Sequence, residues 1–237
     1  MNTILAILSI FLFFTGTYEE SDADRALREN GGTVAVYEVQ ASECDEAFDD
    51  GEVMMDAARE VFLSRLLGLS YSDADVEILK NNRLKVIMPR VDSIDSVASA
   101  LQSNAMLEFL DSSGNVFMNS KHISSAEATY ENIGSGIANE YCVVVEFTQE
   151  GKELFSKATA EAASRSDTGE NYIDIVLDGY IISRASVQQK IVSDTVMISG
   201  GFSMKSAIEL ATLINSSKIP MEFVLVEYDF FEPSDSE

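Results

Sequence analysis

The sequence predicts an α+β fold in two lobes. Three observations lead there. The first stretch of apolar patterning runs strand, helix, strand, strand, helix, strand. Two strand pairs are split by strong turn dipeptides, Asn81-Asn82 and Asp178-Gly179. The second half then repeats a looser strand-helix-strand rhythm. The β-α-β-β-α-β order is that of a ferredoxin-like unit, an antiparallel sheet with two helices on one face.

The elements follow in order. Gly31-Gly32 precedes Thr33–Gln40, which alternates as a strand does. A helix is expected over about Val53–Leu67, with Met54, Ala58, Val61, Phe62 and Leu66 as its apolar stripe. Short strands at Asp75–Leu79 and Arg83–Met88 flank Asn81-Asn82, and asparagine tolerates the positive φ of a hairpin turn. Pro89 closes the second of them. Asp92 reads as the N-cap of a helix that presents Ile94, Val97, Ala98 and Leu101 on one face. Met106–Leu110 completes the first unit as a strand.

The second half opens at the turn Asp111–Gly114. Asn115–Glu140 is polar and carries no clear period. Tyr141–Phe147 is a strand. Thr148 can cap a helix to about Ala163, with Leu154, Phe155, Ala158 and Ala162 on its stripe. Tyr172–Leu177 and Tyr180–Ala185 form a hairpin around Asp178-Gly179. A short strand at Thr195–Ser199 leads to Gly200-Gly201. Ser203 can cap a helix to Asn215, and Met221–Tyr228 is the last strand after Pro220.

These elements set the expected domain boundaries. Residues 1–17 are a hydrophobic signal or anchor segment and 18–32 a tether. Residues 33–111 are a base, with 221–230 as an added strand. Residues 112–220 are a head and 231–237 a polar tail. Both chain ends would then lie on the base.

Composition narrows the function. The chain has 237 residues, 46% of them hydrophobic, enough for one sizeable core or two small ones. Asp and Glu number 40 against 16 Lys and Arg, for a formal charge of −24. Such a chain repels nucleic acid and anionic lipid at long range, so no nucleic-acid partner is expected. Cys44 and Cys142 are the two cysteines. Cys142 lies in an apolar strand and reads as a buried free thiol. Ile4–Phe14 is apolar except for Ser9. It is too short to cross a bilayer as a straight helix. It suits a signal-peptide core, although no Lys or Arg precedes it, or the remainder of a longer membrane helix. Either reading places the rest of the chain outside the cytoplasm and limits membrane contact to the N-terminal segment.

Several short motifs then resemble one family, in the right order. Gly31–Val39 resembles the segment with which SecD proteins begin their exported domain. Ser64–Ile78 and Asn81–Pro89 resemble that family's next helix end and strand, and Ala105–Phe109 its Leu-Glu-Phe strand. Val143–Thr159, Ile175–Gln188, Ile198–Pro220 and Leu225–Pro233 follow in register. The resemblance covers Gly31 to Pro233 and rests on the series of motifs rather than on any single one. The sequence departs from the family pattern at Ser70, Met88, Arg90, Ala185, Ser217 and Glu232, and several of these stand where the family has a turn glycine. The family's membrane bundle does not appear in the sequence.

The resemblance implies a first extracytoplasmic domain with base and head subdomains. It implies a non-catalytic role in Sec-dependent export on the outer side of a bacterial cell membrane. The domain would bind and release the translocating polypeptide as the head swings on the base. The implied partners are unfolded presecretory polypeptide, and SecF and the Sec translocon. The alternative is a stand-alone exported protein that reuses the fold for another envelope ligand.

The residues themselves point to no chemistry. Asp167-Thr168-Gly169 spells the aspartic-protease triplet but follows Ser164-Arg165-Ser166 where an apolar strand is required. Gly134-Ser135-Gly136 lacks the Gly-Lys-Ser/Thr ending of a phosphate loop. Asp45, Glu46, Asp49, Asp50 and Glu52 lack EF-hand spacing and read as a solvated loop. His122, the single histidine, has no nucleophile at a diagnostic spacing and reads as a surface residue. No catalytic residue, metal site or cofactor is expected, and the polypeptide-binding surface is not legible.

Overall fold

The computed structural model describes residues 22–40, 51–131, 139–216, 218–219 and 221–233. The segment Ile4–Phe14, the acidic run Asp45–Asp50, Cys44, Gly134–Gly136, Ser217 and Pro220 lie outside the described residues. Within them the chain is α+β, with antiparallel sheets and two main apolar cores.

The first sheet holds β1 (Gly32–Val39), β2 (Asp75–Leu79), β3 (Arg83–Met88) and β11 (Phe223–Phe231), in the order β11-β1-β3-β2. Helices α2 (Gly51–Gly68) and α3 (Ile94–Gln102) cover one face. The alternation of β1 sends Ala35, Tyr37 and Val39 into that core, where Phe62 meets the ring of Tyr37 edge-on at 5.2 Å and that of Phe223 at 5.3 Å. The opposite residues, Val34 and Ile87, meet Leu27 of α1 (Asp22–Asn30) on the outer face. Asp22–Asn30, expected within the tether, is thus a helix.

Gly31 and Gly32 make that entry possible. Both have positive φ, 72° and 155°. A side chain on Gly32 would stand 2.6 Å from the Met88 carbonyl, and one on Gly31 2.8 Å from that of Phe231. Only glycine meets both demands.

One strand expected in this sheet sits elsewhere. β4 (Leu107–Leu110) pairs with β5 (Val116–Asn119) and β8 (Tyr172–Leu177), not with β1. The place beside β1 belongs to β11, in register from Gly32↔Phe231 to Val39↔Phe223. That ladder is about twice as long as β4 could offer. The sequence predicts residues 221–230 as an added strand of this unit, and β11 takes the place beside β1 that the β-α-β-β-α-β order assigns to β4.

The second lobe holds two sheets. One has the order β5-β4-β8-β9, with β9 spanning Tyr180–Ser186. The other has the order β10-β7-β6, from β6 (Ile123–Glu131), β7 (Glu140–Phe147) and β10 (Thr195–Phe202). Their inner faces share a core with α4 (Gln149–Ala163) and α5 (Met204–Asn215), centred on Phe109, Val143, Val145, Phe155, Ile175 and Ile198. Two expected helix starts hold. Thr148 Oγ1 accepts from Gly151 N at 3.1 Å, and Ser203 makes a reciprocal capping box with Ser206. A third is corrected. The N-cap of α3 is Ser93 rather than Asp92, and its side chain makes no capping bond. β10 also runs on through Gly200-Gly201, where a bulge interrupts its register with β7.

Candidate functional site

The motifs singled out in the sequence do not converge. Asp167 sits in a 3-10 turn, Ser166–Thr168, closed by Gly169 at φ 74°. Thr168 Oγ1 donates to the Arg165 carbonyl at 2.8 Å, so the triplet ends a helix and is not a catalytic strand turn. His122 is half-buried rather than a plain surface residue. Its Nδ1 accepts from Asn119 N at 3.1 Å in a capping box, and its Nε2 stands 3.9 Å from Glu150 Oε1. Cys142 is a free, fully buried thiol with Sγ 3.7 Å from Met197 Sδ. Burial, with Glu131 and Glu140 close by, pushes its pKa up, which disfavours the reactive thiolate. Among the described residues no group of three or more His, Cys, Asp or Glu side chains could hold a metal ion.

The second lobe's sheet edges show a different kind of site. A sheet edge offers unpaired N–H and C=O groups to any extended chain. On β6 that edge is occupied: Asn215 accepts from Ala126 N at 2.8 Å and donates to Ala126 O at 2.7 Å, as a strand would. β9 ends its sheet and runs beside the edge of β10. Ser183 Oγ donates to the Ser199 carbonyl at 2.8 Å there. A side chain on Gly200 would stand 3.1 Å from the Ile182 carbonyl, so the glycine lets the two backbones approach.

Apolar side chains collect along this end of the lobe. The pairing registers set Tyr130, Tyr141 and Phe202 side by side across three strands, and the two tyrosine rings lie 4.7 Å apart. Tyr180, at the start of β9, is 78% exposed, and Ile181, Met197 and Met204 are also exposed. In the next row Glu131 faces Glu140 directly. Opposed like charges are unfavourable by themselves and are relieved by a cationic neighbour. The surface therefore combines aromatic contact area with an acidic rim, at the place where the edges of β9 and β10 meet.

A second cluster joins the lobes, and the sequence reading missed it. Arg65, near the end of α2, is fully buried. Its Nη1 donates to the carbonyls of Ala100, Leu101 and Ser103 at 2.9, 3.1 and 2.6 Å, and its Nε to Ser216 Oγ at 3.1 Å. The carbonyls crown the C-terminus of α3, and Ser216 caps α5. Both are the negative ends of helix dipoles. Burial lowers the guanidinium pKa to about 10, with Asp178 acting the other way, so the group stays charged at neutral pH. Asp178 ties the β8–β9 turn to the same junction. Its carboxylate accepts from Ser103 Oγ at 2.6 Å and from Met106 N at 2.9 Å. Ser96 donates to Glu209, and a side chain on Gly68 would meet Thr212. On the sequence Arg65 looks like an ordinary polar residue of an amphipathic helix.

Comparison with known proteins adds the family. The model of the SecDF P1 head subdomain matches residues 99–221, half of the chain. The protein translocase subunit SecD of Acidaminococcus fermentans is 25% identical over 225 residues, 95% of this chain and 50% of that protein. SecD of Dictyoglomus turgidum is 24% identical over 186 residues, 77% of this chain and 44% of that protein. SecDF of Bacillus subtilis is 23% identical over 206 residues, 81% of this chain and 27% of that protein. The chain thus spans about half the length of these two SecD relatives. A crystal structure of SecDF in a super-membrane-facing form superposes with a TM-score of 0.65 at 19% identity, over 98% of this chain and 35% of that one. A structure of SecDF described as a membrane component that enhances protein export gives 0.58 at 19% identity, over 82% of this chain and 98% of that one. Both show the same fold.

Proposed function

The chain belongs to the SecD/SecDF family, and from that membership we propose that it assists Sec-dependent protein export by binding and releasing the translocating polypeptide without chemistry. The expected base, residues 33–111 with 221–230, would end instead near Ser103, because β4 pairs within the second lobe, and the head expected over 112–220 would begin there. The work would be done on the outer side of a bacterial membrane, together with SecF and the Sec translocon. Among the described residues no helix is long and apolar enough to cross a membrane. Anchoring through the N-terminal segment is part of this proposal.

The observation that carries the reading is the apolar patch at the β9–β10 end of the head, where exposed Tyr130, Tyr180 and Ile181 stand beside the half-buried Tyr141 and Phe202 at the margin of the core. An unfolded chain offers backbone and apolar side chains in no fixed order. Tyrosines meet such a chain without regard to its order and supply contact area at small entropic cost. The acidic rim favours the Lys and Arg of a client.

The test is fluorescence anisotropy of the purified chain with a labelled, unfolded presecretory protein. The double variant Tyr130→Ser, Tyr180→Ser should bind about 30-fold more weakly, the scale of a lost interface hot spot, with an unchanged circular dichroism spectrum. Equal binding by variant and parent would reject this surface. Failure of the parent chain to bind any unfolded client would reject the function.

A further inference from the structure

We propose that α1 is a displaceable strap on the outer face of the first sheet. It holds the start of the chain against the base and releases as a unit. The inference concerns the base alone and is independent of any binding surface on the head.

Two observations carry it. The first is how α1 is seated. Its sequence, Asp-Ala-Asp-Arg-Ala-Leu-Arg-Glu-Asn, is strongly polar. Leu27 is the one buried side chain among those described in it, and it meets Val34, Ile87 and Phe231. A helix of nine residues is too short to persist in water by itself, so its docking and its folding stand together. The second observation is what lies beside it. A solvent-open groove of about 520 Å³ runs between Leu27, Gly32, Ile87, Met88, Phe231 and Pro233. Close packing is what makes an element integral to a core. Here one leucine is seated at the margin of an open groove.

The hinge is also present. Gly31 and Gly32, both at positive φ, separate α1 from β1. β1 itself is held on both sides, by β11 and by β3. A pull on the chain N-terminal to Asp22 would therefore load α1 before it loads the sheet. Nine helical residues span roughly 14 Å and about 30 Å when extended. Release of the strap would give the base about 16 Å of slack from the same atoms. It would also uncover Val34, Ile87 and Phe231.

Hydrogen exchange on the full chain tests this, read by mass spectrometry on peptides covering residues 22–30 and 33–39. The amides of α1 should exchange at least about 100-fold faster than those of β1, because they open without global unfolding. Leu27→Ala should speed α1 by a further 10- to 100-fold, the scale of one buried leucine, and leave β1 unchanged. Two results would overturn the proposal. One is α1 as protected as β1 in the parent. The other is Leu27→Ala accelerating α1 and β1 together, which would make the helix part of the base core.

Discussion

Replacing Arg65 by methionine tests the junction between the lobes most directly. Methionine keeps much of the side-chain length and removes every donor. The carbonyls of Ala100 and Leu101 are buried against Arg65. Each would lose its charged partner, at about 1–3 kcal/mol per orphaned group. Ser103 O and Ser216 Oγ are only partly buried and can recruit water, so they add little. Against this, the variant no longer buries a guanidinium, whose desolvation costs several kcal/mol in an interior. The orphaned carbonyls outweigh the part of the desolvation that is regained, and the net expectation is a loss of about 1–3 kcal/mol. With a urea m-value of about 2–3 kcal/mol/M for a chain of this size, the midpoint should fall by roughly 1 M. The assay is urea unfolding followed by far-ultraviolet circular dichroism and by tyrosine fluorescence, as the chain has no tryptophan. Arg65→Lys should recover part of the loss, since one ammonium cannot reach the α3 carbonyls and Ser216 together. A shift below about 0.5 kcal/mol for the methionine variant would refute the reasoning. It would mean that solvent already serves these carbonyls.

Two further changes isolate single terms. Ser70 closes α2 in a Schellman motif: Tyr71 N donates to Leu66 O at 2.8 Å and Ser70 N to Leu67 O at 2.9 Å, with Ser70 at φ 70°. A left-handed residue with a side chain costs about 1–2 kcal/mol, and glycine returns part of that as unfolded-state entropy. Ser70→Gly should therefore raise stability by about 0.5–1 kcal/mol, a rise of about 1–4 °C in calorimetric Tm; an unchanged or lower Tm would contradict it. Tyr37 is fully buried, and its hydroxyl has no hydrogen-bond partner among the described residues. Burial alone pushes its pKa far up. Tyr37→Phe should stabilise by about 1 kcal/mol through loss of a desolvated, unpaired group. A destabilisation by the same measurement would reveal a partner for that hydroxyl.

What the sequence disclosed was local. The Asn81-Asn82 and Asp178-Gly179 turns form where expected, with both asparagines and Asp178 at positive φ. The caps at Thr148 and Ser203 likewise need only a few neighbouring residues. Family resemblance carried the rest of the fold, and the motif series matches where the SecDF P1 head model does. The misses are non-local. β4 looked like the close of the first unit because it follows α3, and nothing nearby in sequence says that β11 fills that place. β6 escaped notice because along it only Ala126 is buried, so no alternation is visible. Its stability comes from β7 and from Asn215 at its edge. The candidate surface was invisible for the same reason. Tyr130, Tyr141 and Phe202 become one row only through the register of three strands.

Asp178 shows why the junction and the candidate surface belong to one description. Its carboxylate is bound to the linker that leaves the first lobe, through Ser103 Oγ and Met106 N. Its backbone N–H donates to the Met106 carbonyl at 3.0 Å. The same residue opens the two-residue turn that begins β9, and Tyr180 is the first residue beyond it. A turn this tight has almost no internal freedom, because its φ angles of 48° and 83° are set by the strand twist. Rotation of the linker must therefore either carry Tyr180 with it or break three hydrogen bonds to Asp178. Arg65 holds the carbonyl of Ser103 on the opposite side of that linker. The orientation of the lobes and the position of Tyr180 are thus coupled through one short segment, Ser103–Met106, held between a buried arginine and an aspartate.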